Sequence, residues 1–495
     1  MQVEAEFLLH PHLHHNHHLY YSPASRDFPS PSSSSSLDDA LLLPLPLPIL
    51  PSDVLPFPDV DMIADVCDWL TDDSHLSPPL SFGECSDRRP DSSPISYESG
   101  YSGGSTAQNP SSLVFPGEAG EFDGRSAVFH LIRAYGEAKA SEQEVLARVI
   151  LMRLRDGSSP AGNPHERMAY HFVMASGDGR WDDHCHLVRG SLENFAEALC
   201  AFYQTIPVGK FTHLAANSAI LNAIPEDTHV IHIVDFEVEE GIQWPLLIHE
   251  MACRGQRFLR LTSTRWGDRQ DSDLSRERFR ETESRLCKLA SSLGVKLTME
   301  EVGTESLVAE LRKRSRTGEF LAFNCMVGLP HMRSGSSLAA SCAAEFLRAA
   351  KDSIDVLGGN TGIIVLGDSM GLEEESSKGY VSFLESKLVQ TQTLFEAMEF
   401  HFPENLGEAR IAMECLFLGP SSASRFGFRE WEEISRASEE IAHMGLRPRA
   451  MSETQSTEAK QVVGEGESPY WVRAGENEMS LNYLGTRLAR VSCWN

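Results

Sequence analysis

Residues 230–234 form an apolar run broken only by His232, and the run ends in Asp235. An acidic turn with Glu237, Glu239 and Glu240 follows, then Gly241, Gln243 and Trp244. Pro245 then heads a second apolar run with Leu246, Leu247, Ile248 and Met251. A short continuous apolar run bounded by turn residues reads as a strand buried on both faces, and a longer one with proline in its first turn as a helix. Strand, glycine-bearing turn and helix in that order make the first unit of a doubly wound α/β domain. In such domains a nucleotide-like cofactor binds at this turn. The stretch therefore bears on two questions together, the fold class and whether the chain is an enzyme or a regulatory scaffold.

Strand and helix patterns alternate through residues 229–420. Strands are expected at 258–262, 295–299, 320–327 and 362–366. Helices are expected at 274–293, with Leu274, Phe279, Leu286, Leu289 and Leu293 along it, and at 307–311, 339–354, 380–400 and 408–417. Such alternation predicts a mostly parallel sheet covered on both faces. Residues 425–495 follow with a helix at 426–444, a polar insertion at 452–468 and short strands at 470–472, 479–484 and 488–494. Their close turns suggest antiparallel additions to the sheet's edge, with Trp471 and Trp494 as core anchors.

Residues 125–225 read as amphipathic helices. Leu131, Ile132, Tyr135 and Ala138 share a face, and Ser141 with Glu144 matches a capping box ahead of Val145, Leu146, Val149, Ile150 and Leu154. Further helices are expected at 166–174, 192–201 and 211–224. The leucine spacing lasts about two heptads, short of the three to four that mark a coiled coil, so a bundle is expected. Leu131, Tyr135, Leu146, Val149 and Ile150 are the candidates for an apolar face offered to a partner helix.

The first 120 residues differ in kind from the domain at 121–495. His10, His12, His14, His15, His17 and His18, a serine run at 32–36 and a proline-leucine segment give a low-complexity arm, expected to be disordered. Its longest apolar stretch, 41–58, is cut by Pro44, Pro46, Pro48, Pro51 and Pro56 and cannot span a membrane as a helix. One island, 59–73, is patterned: Met62, Ile63, Val66, Trp69 and Leu70 fall at helical spacing with aspartates on the other face. It reads either as an acidic activation-type segment that folds into a partner's groove or as a helix docking on its own domain.

With 71 acidic and 43 basic residues the net charge is -28, a field that disfavours autonomous binding to phosphate backbones. The basic run Arg312, Lys313, Arg314 and Arg316 is the local exception. It reads as a nuclear-import or phosphate patch, or, as favoured here, as the solvated end of a helix complementing its dipole. Ten cysteines without a CxxC pair look like reduced intracellular thiols. The cluster Asp182, Asp183, His184, Cys185 and His186 is too compact in sequence to surround an ion unaided, so no metal is expected. Nothing resembles a signal peptide.

From about residue 125 onward the chain resembles the plant GRAS family of transcriptional regulators. Ile231, His232, Ile233, Val234, Asp235 and Phe236, followed by Gly241, Ile242, Gln243, Trp244 and Pro245, resemble its VHIID core motif, and leucine-rich blocks lie on either side. Pro403, Arg410 and Glu414 fall in the PFYRE region. Trp431, residues 470–472 and Ser492, Cys493 and Trp494 resemble the terminal SAW region, with Cys493 in place of the usual alanine. Residues 323–332 and 406–416 are similar to the nodulation-signalling-pathway-2 branch. The resemblance implies a methyltransferase-like Rossmann core with an N-terminal helical cap used for pairing, and nuclear localisation. For the branch it implies heterodimerisation with another GRAS protein, promoter DNA reached mainly through that partner, contacts with other transcriptional regulators, and roles in symbiosis signalling and strigolactone biosynthesis.

A methyltransferase of this fold needs glycines after its first strand and an acid at the end of its second. Here the turn carries Glu237, Glu239 and Glu240, where GRAS proteins usually have glycine at the place of Glu239. The second strand ends in Leu261, Thr262, Ser263 and Thr264, with no acid until Asp268. No cofactor, and no catalysis, is therefore expected. The expectation is a transcriptional co-regulator; the alternatives are an S-adenosylmethionine-dependent methyltransferase and an autonomous sequence-specific DNA-binding factor.

Overall fold

The apolar run becomes strand β1 (Val230–Asp235), and in the sheet it lies between two parallel neighbours, β2 (Phe258–Arg265) and β4 (Glu319–Val327). Five of its six residues are buried, as a strand covered on both faces requires. β3 (Lys296–Gly303) pairs outside β2, and β5 (Gly362–Asp368) outside β4, both parallel. Three later strands continue the sheet antiparallel: β8 (Thr486–Trp494) on β5, then β7 (Glu478–Tyr483), then β6 (Tyr470–Ala474). The order is β3-β2-β1-β4-β5-β8-β7-β6. This computed structural model describes residues 69–70, 124–176, 195–265, 273–314, 319–332, 339–357, 362–372, 379–419, 426–464 and 468–495. The histidine tract, Met62, Val66, the cluster at 182–186 and the side chains of the basic run lie outside the described residues.

Alternate side chains of β1 feed two cores, Ile231 and Ile233 one, Val234 the other. Against the first pack α5 (Pro207–Ala223), α6 (Trp244–Cys253), α7 (Asp273–Ser292) and α10 (Tyr380–His401). Against the second pack α8 (Thr304–Arg314), α9 (Ala339–Leu357) and α12 (Phe428–His443). This is the doubly wound arrangement that the alternating pattern predicts.

A helical cap of α1 (Gly124–Ala140), α2 (Glu144–Asp156), α3 (Pro164–Ala175) and α4 (Phe195–Thr205) extends the first core. The expected capping box at Ser141 does not form. Glu142 takes a left-handed φ of 56°, so α2 begins at Glu144 behind Gln143 with no side-chain cap, and Glu144 pairs instead with Lys139 at 2.8 Å. The box lies at the next helix, where Asn163 accepts from the Glu166 backbone N–H and the Glu166 carboxylate accepts from that of Asn163, both at 3.0 Å.

Three other expectations are corrected. The helix expected at 408–417 is α11 (Gly407–Met413) continued by a π turn over Glu414–Leu418, in which Glu414 is fully buried. The polar insertion contains α13 (Glu453–Gln461), opened by a capping box of Ser452 and Gln455 and anchored by buried Ala459. Trp471 is 45% exposed, because on the outermost strand Tyr470 and Val472 take the inward positions; Trp494 does pack against the second core.

Candidate functional site

The sheet's crossovers reverse direction between β1 and β4, the place where doubly wound folds open a crevice at the carboxyl ends of their strands. Asp235 and Asn324 are register partners there. The Asn324 amide donates to Asp235 Oδ1 at 2.8 Å and forms a reciprocal pair with the Gln243 side chain, each bond 3.1 Å. Gln243 also donates to Asn217 Oδ1 at 3.1 Å, and the Asn217 amide donates to the Gln243 carbonyl at 3.0 Å. Four buried polar residues thus satisfy one another and join β1, β4, α5 and the start of α6. Burial pushes the Asp235 carboxyl up to about 7, against the Asn324 hydrogen bond, and the nearby Glu237 charge adds to the rise.

The turn after β1 is pinned rather than open. Val238 and Ile242 turn into the first core. The Val238 N–H donates to Ser263 Oγ at 3.3 Å, and the Thr264 hydroxyl donates to the Phe236 carbonyl at 2.7 Å. From α7, the Thr282 hydroxyl donates to the Glu239 carbonyl at 3.0 Å and Arg285 Nη2 to that of Glu240 at 3.4 Å. Glu239 has φ 48° and Gly241 φ 75°. A Cβ on Gly241 would come within 2.8 Å of Thr282 Cγ2 in a conformation that already disfavours side chains. Gly241→Ala is therefore expected to cost about 1–3 kcal/mol, read as a lowered urea midpoint at constant slope.

A crevice partly open to solvent lies between this turn and residues Leu199, His213, Met326, His331 and Met332. In its wall the Tyr203 hydroxyl and His213 Nδ1 lie 3.1 Å apart, and the His213 and His331 rings meet edge to face at 5.0 Å. Burial holds both imidazoles neutral, His331 down to about 4 and His213 well below its usual value, aided there by His331. Among the described residues, the lining is not the glycine-rich turn and strand-end carboxylate that a nucleoside cofactor requires. The end of β2 offers hydroxyls already committed to the turn where a ribose would need a carboxylate, and the turn offers a glutamate where backbone would need to approach.

The remaining predicted residues are placed as follows. His232 bonds Thr262 Oγ1 through Nε2 at 2.9 Å and lies with Nδ1 3.4 Å from Glu319. Trp244 is buried at the first turn of α6. Ser492 and Cys493 are buried on β8; Cys493 is opposite Val365, and the Trp494 indole donates to Ser492 Oγ at 3.0 Å. Of the five candidates for a partner face, Ile150 is buried, Leu131, Tyr135 and Leu146 pack against the core, and Tyr135 stands edge-on to Phe172 at 5.3 Å. Val149 alone of the five is exposed. It lies in line with Val145 and Met152, which are 81% and 38% exposed against its own 51%. Their spacing of four and three was visible in the sequence, but the bundle fixes which face turns inward. In the 59–73 island, Leu70 is fully buried and the Trp69 indole donates to the Arg285 carbonyl at 3.4 Å, so these two residues dock on their own domain.

Sequence reading missed the tie between cap and core. Arg167, fully buried on α3, donates through Nε to Glu414 at 3.0 Å, through Nη1 to Glu399 at 3.1 Å and the Gly162 carbonyl at 2.7 Å, and through Nη2 to the Phe395 carbonyl at 2.9 Å. Among the described residues no group of three or more His, Cys, Asp or Glu is placed to hold a metal ion, and no helix is long and apolar enough to cross a membrane.

Comparison with known proteins gives a consistent result. A family model described as the GRAS domain family matches residues 128–495. The Protein NODULATION SIGNALING PATHWAY 2 of Medicago truncatula is 29% identical over 419 residues, covering 76% of this chain and 77% of that protein. The protein of the same name from Lotus japonicus is 31% identical over 398 residues, covering 74% and 75%. Among solved structures, that of SCL7 in Oryza sativa superposes with a TM-score of 0.52 at 22% identity, covering 74% of this chain and 99% of the other, which supports the fold.

Proposed function

The chain belongs to the GRAS domain family, and on that footing we propose that this transcriptional regulator acts in the nucleus as one half of a pair with a second GRAS protein, reaching promoter DNA mainly through that partner. The observation that carries the proposal is the apolar stripe Val145, Val149 and Met152 on α2, exposed on a cap whose other large apolar residues, among those described, are buried or half-buried against the core. A helix in the partner's cap would cover it. The sequence similarity to the two nodulation-signalling proteins supports a role for the pair in symbiosis signalling, with strigolactone biosynthesis as the output that the branch implies.

Val145→Glu with Val149→Glu is expected to abolish recovery of a GRAS partner from plant nuclei while leaving the thermal midpoint within a few degrees, since neither side chain is in the core. Undiminished recovery would overturn the interface. Leu146→Glu would destabilise the cap as well, because Leu146 packs against the core, and is the poorer test.

In the same reading the chain is not an enzyme. The pinned, glutamate-bearing turn supports this, and calorimetry with S-adenosylmethionine is expected to give no micromolar binding; a saturable micromolar isotherm would restore the methyltransferase alternative. The acidic charge predicts weak, strongly salt-dependent association of the purified chain with DNA. Nanomolar sequence-specific binding without a partner would favour the autonomous factor.

A further inference from the structure

Trp69 lies 216 residues from Arg285 in sequence, yet its indole N–H donates to the Arg285 carbonyl and the Arg285 guanidinium lies 5.2 Å from the centre of its ring. Leu70 beside it has no exposed surface and belongs to the core cluster of the sheet's first face. A buried leucine and a cation over an indole face are two contacts able to hold a short segment against a domain. Both are made by the two residues that end the apolar stripe of the 59–73 island.

We propose that Trp69 and Leu70 form a reversible intramolecular anchor, and that the acidic segment around them engages a transcriptional partner protein only when the anchor leaves α7. The proposal rests on reading residues 59–73 as an activation-type segment. One Trp-Leu pair cannot fill its own domain's slot and a partner's groove together. Docking in cis therefore lowers the apparent affinity for the partner by the fraction of chains in which the anchor is released.

The anchor is also connected to the crevice. Arg285, which holds Trp69, donates through Nη2 to the Glu240 carbonyl and to the Thr282 hydroxyl at 3.2 Å, and Thr282 in turn donates to the Glu239 carbonyl. Departure of the anchor removes a neighbour from the side chain that pins the turn, so the turn at 237–241 should loosen with it.

The test uses the full chain fused to a neutral DNA-binding module, with reporter output and deuterium exchange measured on the same variants. Trp69→Ala with Leu70→Ala leaves α7 intact and is expected to speed exchange across 282–289 and 237–241 at least several-fold without raising reporter output. Arg285→Gln leaves the segment intact and is expected to speed the same exchange and raise output about threefold or more. Adding the two alanines to Arg285→Gln should cancel that rise. Unchanged exchange in the alanine variant would show that there is no anchor. Faster exchange in Arg285→Gln with output no higher than wild type would overturn the masking. A rise that survives the two alanines would overturn the activation reading itself. Thermal melting of Arg285→Gln confirms that the variant is folded when its output is read.

Discussion

Arg167→Ala is expected to lower the stability of the domain by about 3–5 kcal/mol, the cost of leaving a fully buried carboxylate without its ion partner. Glu414 has no exposed surface, and besides Arg167 the His171 ring lies 3.7 Å from it. The guanidinium also closes the carbonyls of Gly162 and Phe395 and reaches Glu399, so its loss strands acceptors in the turn before α3 and on α10 as well as on the π turn. Lysine should recover little, since one ammonium cannot present donors along the separate directions that these acceptors occupy. The charge as such is not required: Arg167→Met with Glu414→Leu is expected to be far less damaging than either single change. A double-mutant cycle in urea measures this, and additive effects of the two single changes would contradict it. Because these bonds tie the cap to the core, the single variant should also lose pairing through the α2 stripe.

The second large effect is a pH dependence. The Asp235 carboxyl is held at about 7 in the folded chain against an ordinary value of 3.8, chiefly by burial. The folded state therefore keeps this proton more tightly than the unfolded state does, and the sign follows. Its contribution to stability is most favourable below about pH 4, declines as pH rises from there to 7, and is constant above. Between pH 5 and 8 the decline amounts to roughly 2–3 kcal/mol. Asp235→Asn removes the titration while its side-chain oxygen can still accept from the Asn324 amide. The buried histidines titrate with the opposite sense, so the quantity to measure is the difference between wild type and variant in urea at both pH values. Wild type should lose more than the variant by that amount; a difference independent of pH would show that Asp235 is ionised throughout.

The parts of this fold that could be read from the sequence are those in which neighbours along the chain report the environment. β1 announced itself because a strand buried on both faces must be apolar throughout, and Gly241 because a φ of 75° beside Thr282 leaves no room for a side chain. The cap was legible as helices but not in its phase. Val149 and Ile150 belong to one apolar run, and packing of Ala147, Ile150, Leu151 and Leu154 into the bundle decides that Val149 is the one left outside. The capping box at Ser141 had the right letters and failed on a backbone turn at Glu142, whereas Asn163 and Ser452 had equally suitable letters and form theirs. In the crevice, the glutamates of the turn were visible. The amides of Asn217 and Asn324 and the pair His213 and His331 were not, because isolated polar residues in apolar helices and strands carry no spacing signal. The tie between Arg167 and Glu414 spans 247 residues and exists only once the chain has folded.

The position of β8 also bears on how the chain becomes a protein. It follows every other strand in sequence, yet it lies inside the sheet, paired on one side with β5 and on the other with β7. As the chain emerges from the ribosome, the five parallel strands can assemble, but β5 must wait with one row of amides and carbonyls unpaired. That row has Ile364, Val365 and Leu366 on it, an apolar edge of the kind that recruits other strands. The hairpin of β6 and β7 cannot cover it alone, because β8 is the piece that joins the two parts. For this molecule the interval between synthesis of β5 and of β8 is therefore the time of greatest exposure to misassembly, and the period when a chaperone would have most to do.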